Sequence, residues 1–177
     1  MITIDMAPRS AASSLSTSAL TRFLNRARAA VSLRGQVDIL LANDQTLRQL
    51  NKTFRGKNKP TDVLSFPAPS AFTKKHAGDL AISLDTAARQ AHAHGHTLSD
   101  EIKILILHGL LHLAGEDHET DSGEMAAREA TLRVQLRLPA TLIERTTRTT
   151  TKNQRITIKK PAKNTKKSPL KSGRGAK

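Results

Sequence analysis

The sequence predicts an α+β fold: a small mixed β-sheet packed by helices, with one helix buried at the centre. Three observations lead there. Segments with apolar residues three and four apart alternate with short apolar runs bounded by Gly and Pro, in the order helix, strand, helix, two strands, helices. The stretch from Ser99 to about Ala114 is apolar on nearly every side, as a helix enclosed by the rest of a domain must be. The chain, at 177 residues, is long enough for one domain with a real core plus extensions.

Residues 1–17 read as a loose leader, because the stretch from residue 6 to about 18 is rich in Ala, Ser and Thr. Residues 18–32 read as a helix, with Leu20, Phe23, Leu24, Ala27 and Val31 on one stripe. Residues 37–42 form a strand candidate. Asn43 and Asp44 then offer an N-cap to a helix carrying Leu47, Leu50 and Phe54. Gly56 and Pro60 mark a loop over residues 55–62. A short strand over residues 63–66 stops at Pro67 and Pro69, and Gly78-Asp79 leads into another over 80–84. Asp85 can cap a helix that runs to about His94 and ends at Gly95. Ser99 is the N-cap expected for the central helix, with Asp100 and Glu101 in the first turn, where acids suit the helix dipole. A last helix spans residues 122–136, followed by Pro139. The domain is thus expected over residues 18–143. Residues 144–177, made largely of Thr, Lys, Arg, Pro and Gly, are expected to be a disordered tail that can build no core.

The net charge of +14 is unevenly placed. Residues 145–177 hold 12 of the 29 Lys and Arg and no acid, so the body carries 17 basic against all 15 acidic residues. A basic arm on a nearly neutral body favours polyanions such as RNA, through phosphate neutralisation and counterion release. Cysteine is absent, which excludes disulfides and thiolate metal sites and leaves His and carboxylates as the only metal ligands. The longest apolar run, from Ile104 to Ala114, is too short to span a bilayer, and no secretory signal opens the chain. A cytoplasmic protein with no membrane partner is the expectation.

The chemistry concentrates in His108-Gly-Leu-Leu-His112-Leu-Ala-Gly115-Glu-Asp117-His118. Residues four apart share a helix face, so His108 and His112 can grip one ion. Gly115 accepts the left-handed turn that ends a helix, and the chain can fold back to bring His118 to the same ion. Three neutral imidazoles suit zinc, and three protein ligands leave a fourth position for water or substrate. The site is therefore catalytic in type. A second cluster, His92, His94 and His96, has Gly95 breaking the helix inside it, which spoils a shared face, so these read as surface histidines.

The spacing of His108, His112 and His118 is that of metzincin zinc proteases, so a zincin-like placement on the buried central helix is expected. Those enzymes carry a glutamate general base directly after the first histidine, where this chain has Gly109. That argues against a zinc peptidase. A glycine inside a helix costs about 1 kcal/mol relative to alanine, so Gly109 needs a reason. Room for a substrate phosphate and close packing against the sheet are the two available.

The whole motif resembles the YbeY family, bacterial metal-dependent endoribonucleases also known as ribosomal RNA maturation factors. A second segment carries the resemblance further: Arg55-Gly56-Lys57-Asn58-Lys59-Pro60 running into Thr61-Asp62-Val63-Leu64-Ser65-Phe66-Pro67. Gly78-Asp79-Leu80-Ala81-Ile82-Ser83 is a third, and the likeness covers about residues 36–136. The leader and the basic tail lie outside it.

The resemblance implies a zinc-dependent, single-strand-specific endoribonuclease acting in late small-subunit rRNA maturation and ribosome biogenesis. Its substrate would be ribosomal RNA, with no DNA specificity. His108, His112 and His118 would hold one Zn2+ per chain, and catalysis would rest on Arg55 and His112. A guanidinium fork suits the charge that builds on phosphoryl oxygens during phosphodiester cleavage. Lys57 and Lys59 would track the RNA backbone. Asp117, beside a ligand, can orient an imidazole. Attack by water and attack by the RNA 2′-hydroxyl both stay open. With no Trp or Tyr and only four Phe, base stacking is scarce, and recognition is expected to rest on phosphate contacts and shape. The rival reading is a ribosome-assembly RNA-binding factor whose zinc is largely structural.

Overall fold

The computed structural model describes residues 1–4, 15–69, 71, 75–118 and 120–139. The elements in chain order are β1 (Ile2–Ile4), α1 (Thr17–Val31), β2 (Gln36–Ala42), α2 (Asp44–Arg55), β3 (Val63–Pro67), β4 (His76–Ser83), α3 (Leu84–His94), α4 (Leu98–Leu113) and α5 (Glu124–Leu136). The strands form one four-stranded sheet in the order β1-β2-β4-β3. The β1–β2 and β2–β4 pairs are parallel, with Ile2 opposite Ile39 and Ile39 opposite Leu80; β3 runs antiparallel to β4, with Leu64 opposite Ala81. The sheet is therefore mixed, as expected. The expected basic tail and residues 5–14 of the expected leader lie outside the described residues.

Alternation along the strands divides the apolar residues between two faces. Val37, Ile39 and Leu41 of β2, with Leu80 and Ile82 of β4, join the main core. Ala42, Leu64 and Ala81 turn to the other face, where Leu47 of α2 covers them. The main core also takes Leu20, Phe23, Leu24, Ala27 and Val31 of α1, the stripe read from the sequence.

At the centre of this core lies α4, in contact with α1, α3, α5, β3 and β4. Ile102, Ile106, Leu107, Leu110 and Leu111 are fully buried, and the nearly buried Ile104 and Leu105 carry the apolar surface further around the helix. Each such side chain contributes roughly 1.5–3 kcal/mol of transfer free energy. At Gly109 the helix lies close against the sheet: a Cβ there would stand 2.7 Å from Leu80 Cδ2 and 3.3 Å from Ser65 Oγ. The glycine thus serves close packing of helix against sheet, the second of the two reasons open at the sequence level.

Four sequence expectations need correction. Ile2–Ile4, assigned to the leader, forms an edge strand; three residues are too short for periodicity to reveal. Strand β4 begins at His76 and ends at Ser83, so Gly78-Asp79 lies within it and Leu84 opens the next helix. The caps of α3 and α4 are Ser83 and Thr97, whose hydroxyls accept from Thr86 N and Asp100 N, rather than Asp85 and Ser99. Neighbouring cap formers are equivalent by type, and only the backbone path chooses between them. Asp85 instead accepts from Asp44 N at 3.0 Å, tying the starts of α2 and α3 together. Finally, α5 begins at Glu124, after a left-handed Gly123.

Gly109→Ala is expected to destabilise the protein by a net ~0–2 kcal/mol: about 1–3 kcal/mol for inserting a methyl against Leu80 and Ser65, offset by about 1 kcal/mol of helix propensity. Urea denaturation of both proteins under identical metal loading measures it.

Candidate metal centre and cleft

The last turns of α4 present His108 and His112, and Gly115, at φ +91°, reverses the chain so that His118 joins them. The ring centroids lie 4.8 Å apart for His108 and His112, 5.3 Å for His108 and His118, and 5.2 Å for His112 and His118. The three residues offer nitrogen atoms within 4.8 Å of one another, a cluster able to hold a metal ion.

Hydrogen bonds fix the tautomers. His108 Nδ1 donates to Glu129 Oε2 at 2.9 Å, and His112 Nδ1 donates to the Glu116 carbonyl at 2.9 Å. With both Nδ1 atoms engaged as donors, the two Nε2 atoms carry lone pairs, and they face each other at 3.2 Å. Two lone pairs at that separation repel unless a proton or a cation lies between them, so the donor set fits a metal ion. Burial, then the neighbouring His108, holds the His112 imidazole below its usual pKa. The neutral form that a metal needs therefore persists to lower pH.

Glu129 is held in turn by Arg133, whose Nε donates to Oε1 at 2.9 Å. Burial pushes the Glu129 carboxyl up, but the His108 hydrogen bond and the Arg133 charge outweigh it and hold the group below the usual carboxylate range. Sequence reading missed Glu129. It stands 21 residues beyond His108 on another helix, and with Arg133 four residues on it reads as an ordinary surface pair.

The cluster lies in a cleft of about 860 Å³ whose lining includes Phe54, Arg55, all of β3, His108, His112, Asp117 and His118. Arg55, the last residue of α2, is thereby brought to the same cleft as the imidazoles. Asp117 lines it too, and its charge acts on His112. Lys57 and Lys59 do not line the cleft; they are exposed on the adjoining loop. That loop is pinned from within α2, since Asn51 Nδ2 donates to the Lys59 carbonyl at 2.8 Å and Lys57 N donates to Asn51 O at 3.2 Å.

The aromatic residues depart from expectation. Phe54, read as part of the helix's apolar stripe, is 63 % exposed. It packs edge to face on Phe66 with ring centroids 5.0 Å apart, and both rings line the cleft. Two of the chain's four Phe therefore line the same cleft as the imidazoles. Exposure could not be told from spacing, because Phe54 falls on the same period as buried Leu47.

These features define an α+β protein with a metal-binding cleft. The family model described as endoribonuclease YbeY matches residues 4–137, and the chain belongs to that family, hydrolases that act on RNA. A Koribacter versatilis protein named endoribonuclease YbeY is 54 % identical over 134 residues, covering 76 % of this chain and 86 % of that one. A Solibacter usitatus protein of the same name is 47 % identical over 137 residues, covering 77 % and 90 %. A solution structure of a Thermotoga maritima protein superposes with a TM-score of 0.50 at 26 % identity, covering 77 % of this chain and 89 % of that one. Among the described residues no helix is long and apolar enough to cross a membrane.

Glu129→Gln is expected to weaken metal affinity between about 10- and 100-fold while leaving the fold intact, the usual effect of removing a carboxylate behind a ligand. Competition against a chelating dye measures it.

Proposed function

We propose that this protein is a zinc-dependent, single-strand-specific endoribonuclease of late small-subunit rRNA maturation and ribosome biogenesis. One observation carries the reading: Arg55 and the three-imidazole cluster line the same cleft. His108, His112 and His118 would hold Zn2+, in the zincin-like manner of two histidines from one helix and a third beyond its glycine turn. An all-imidazole set suits that ion, and zinc, when bound, supplies Lewis-acid polarisation of a phosphoryl oxygen or of water.

The chain's own groups do the rest. Arg55 grips the non-bridging phosphoryl oxygens and stabilises the charge that grows on them, while His112 is shared between metal binding and the catalytic centre. Glu129 and the Glu116 carbonyl hold two rings in the orientation the ion needs. Asp117 adds negative charge beside His112. Phe54, backed by Phe66, offers an aromatic face to an unstacked base, which a duplex does not present. Lys57 and Lys59 follow the phosphates beyond the cleft, and the basic tail from residue 144 onward extends the same attraction beyond the domain of residues 18–143. Ribosomal RNA, rather than DNA, is the substrate assigned, and the cytoplasm the compartment.

A largely structural zinc would be closed by a fourth protein ligand. Among the described residues the ligand group at the cleft comprises His108, His112 and His118 alone, which favours the nuclease over the assembly factor.

The test compares ribosomal RNA cleavage by the zinc-loaded wild type and by Arg55→Ala, with circular dichroism and metal analysis showing both folded and loaded. A loss of roughly 10²- to 10³-fold is expected, the scale of removing one donor to a transition-state oxyanion. Equal cleavage by both proteins would remove Arg55 from the chemistry. In a separate measurement, Phe54→Ala is expected to weaken binding of single-stranded RNA by roughly 1–3 kcal/mol, one stacked base, with duplex binding unmoved. Equal loss on both forms would show that Phe54 stacks no base.

A further inference from the structure

We propose that His94, His96 and Glu101 form a second divalent-metal site, of a kind suited to zinc, at the turn joining α3 to α4. His94 is the last residue of α3, His96 follows Gly95, and Glu101 stands in the first turn of α4. Glu101 Oε2 lies 3.8 Å from His94 Nδ1 and 3.5 Å from His96 Nε2, and the three ligand atoms fall within 4.8 Å of one another. Those separations are long for hydrogen bonds. Neighbouring ligands on a tetrahedral zinc, with bonds of about 2.0–2.2 Å, stand about 3.3–3.6 Å apart; the His96 separation falls in that range and the His94 separation lies just beyond it.

Gly95, expected from the sequence to keep these histidines apart, does the opposite. Its left-handed backbone, at φ +71°, turns the chain so that the His94 and His96 rings stand 5.4 Å apart, close to the 5.3 Å between His108 and His118.

A second, independent observation is the state of the buried polar atoms. The side chains of His96 and Glu101 are each 5 % exposed. Yet Glu101 Oε2 and both ring nitrogens of His96 have no hydrogen-bond partner among the described residues. Leaving such groups dry and unpartnered is costly. A cation between them would satisfy Oε2 and Nε2 together. A plain ion pair between His96 and Glu101 would account for neither the gap between them nor the convergence of His94. The His94 side chain is 47 % exposed, which gives an ion a way in. Two imidazoles and one carboxylate form a familiar zinc set that leaves a position for water.

Glu101 and His112 lie on the same helix, about 16 Å apart along its axis at 1.5 Å per residue. The two sites cannot share an ion and would load independently. An ion here would join the end of α3 to the start of α4, the helix whose far end carries the first cluster.

The test counts zinc. The full chain is stripped with a chelator, titrated with zinc alone, passed through a desalting column and assayed for bound metal, with circular dichroism to show folding. Two equivalents are expected in the wild type. One is expected in His94→Ala, whose half-exposed side chain can be removed without opening the core, and one in His108→Ala/His112→Ala. A single equivalent in the wild type that His94→Ala retains overturns the proposal, and so does retention of two in His94→Ala; a single equivalent that His94→Ala loses keeps this site and removes the first cluster instead. If the double variant fails to fold, the comparison of wild type with His94→Ala decides alone. The readout is metal content, so it stands whether or not the cleft cuts RNA.

Discussion

The close approach of α4 to strand β4 is the constraint on which the cleft depends. Gly109 has no side chain, so the helix backbone can settle onto Leu80 and Ser65. Leucines and isoleucines on the remaining sides hold it there against α1, α3 and α5. Packed on every side but the one that carries His108 and His112 to the cleft, the helix sets where two of the three imidazoles stand. Positioning of the metal ligands is thus a by-product of packing, and the precision is supplied by the least adjustable part of the molecule. The missing glutamate that separates this motif from the zinc proteases has the same origin: its position faces the sheet rather than the cleft.

Around that fixed element the site is completed by pieces from other parts of the chain. Arg55 arrives at the end of α2, β3 supplies the wall, and Glu129 reaches over from α5 to orient His108. Docking of α5 and orientation of a metal ligand are therefore one event. The His108 hydrogen bond and then the Arg133 charge hold the Glu129 carboxyl below the usual carboxylate range, where burial alone would push it up.

The sequence disclosed features that repeat or that have few physical alternatives. The stripe from Leu20 to Val31 was visible because burial on one face forces a period, and the helix through Ile104–Leu111 because burial on all faces removes one. The histidine spacing survived translation into structure for a similar reason: four residues of helix and a glycine turn admit few geometries. What stayed hidden was set by tertiary approach. Ile2–Ile4 has β-branched residues but too few to distinguish from a leader. Ser83 and Thr97 outcompeted equally suitable neighbours for the caps. Glu129 and Phe54 acquire their partners only when α5 packs beside α4 and β3 meets the end of α2. The turn at Gly95 misled in the opposite sense, since a helix break that separates side chains on an ideal wheel can bring them together in space.

The position of β3 has a consequence for how the molecule avoids its own kind. Among the described residues it is an edge strand, paired on one side with β4, and an open edge is a template onto which a stranger's strand can add. The opposite edge, β1, is three residues long, too short to recruit much. β3 ends on Pro67, which has no N–H to offer a newcomer. All five of its residues also border the cleft. The flank that would invite sheet-to-sheet aggregation is thus the wall of a cleft, recessed beside Arg55 and the imidazoles rather than presented as a flat open edge.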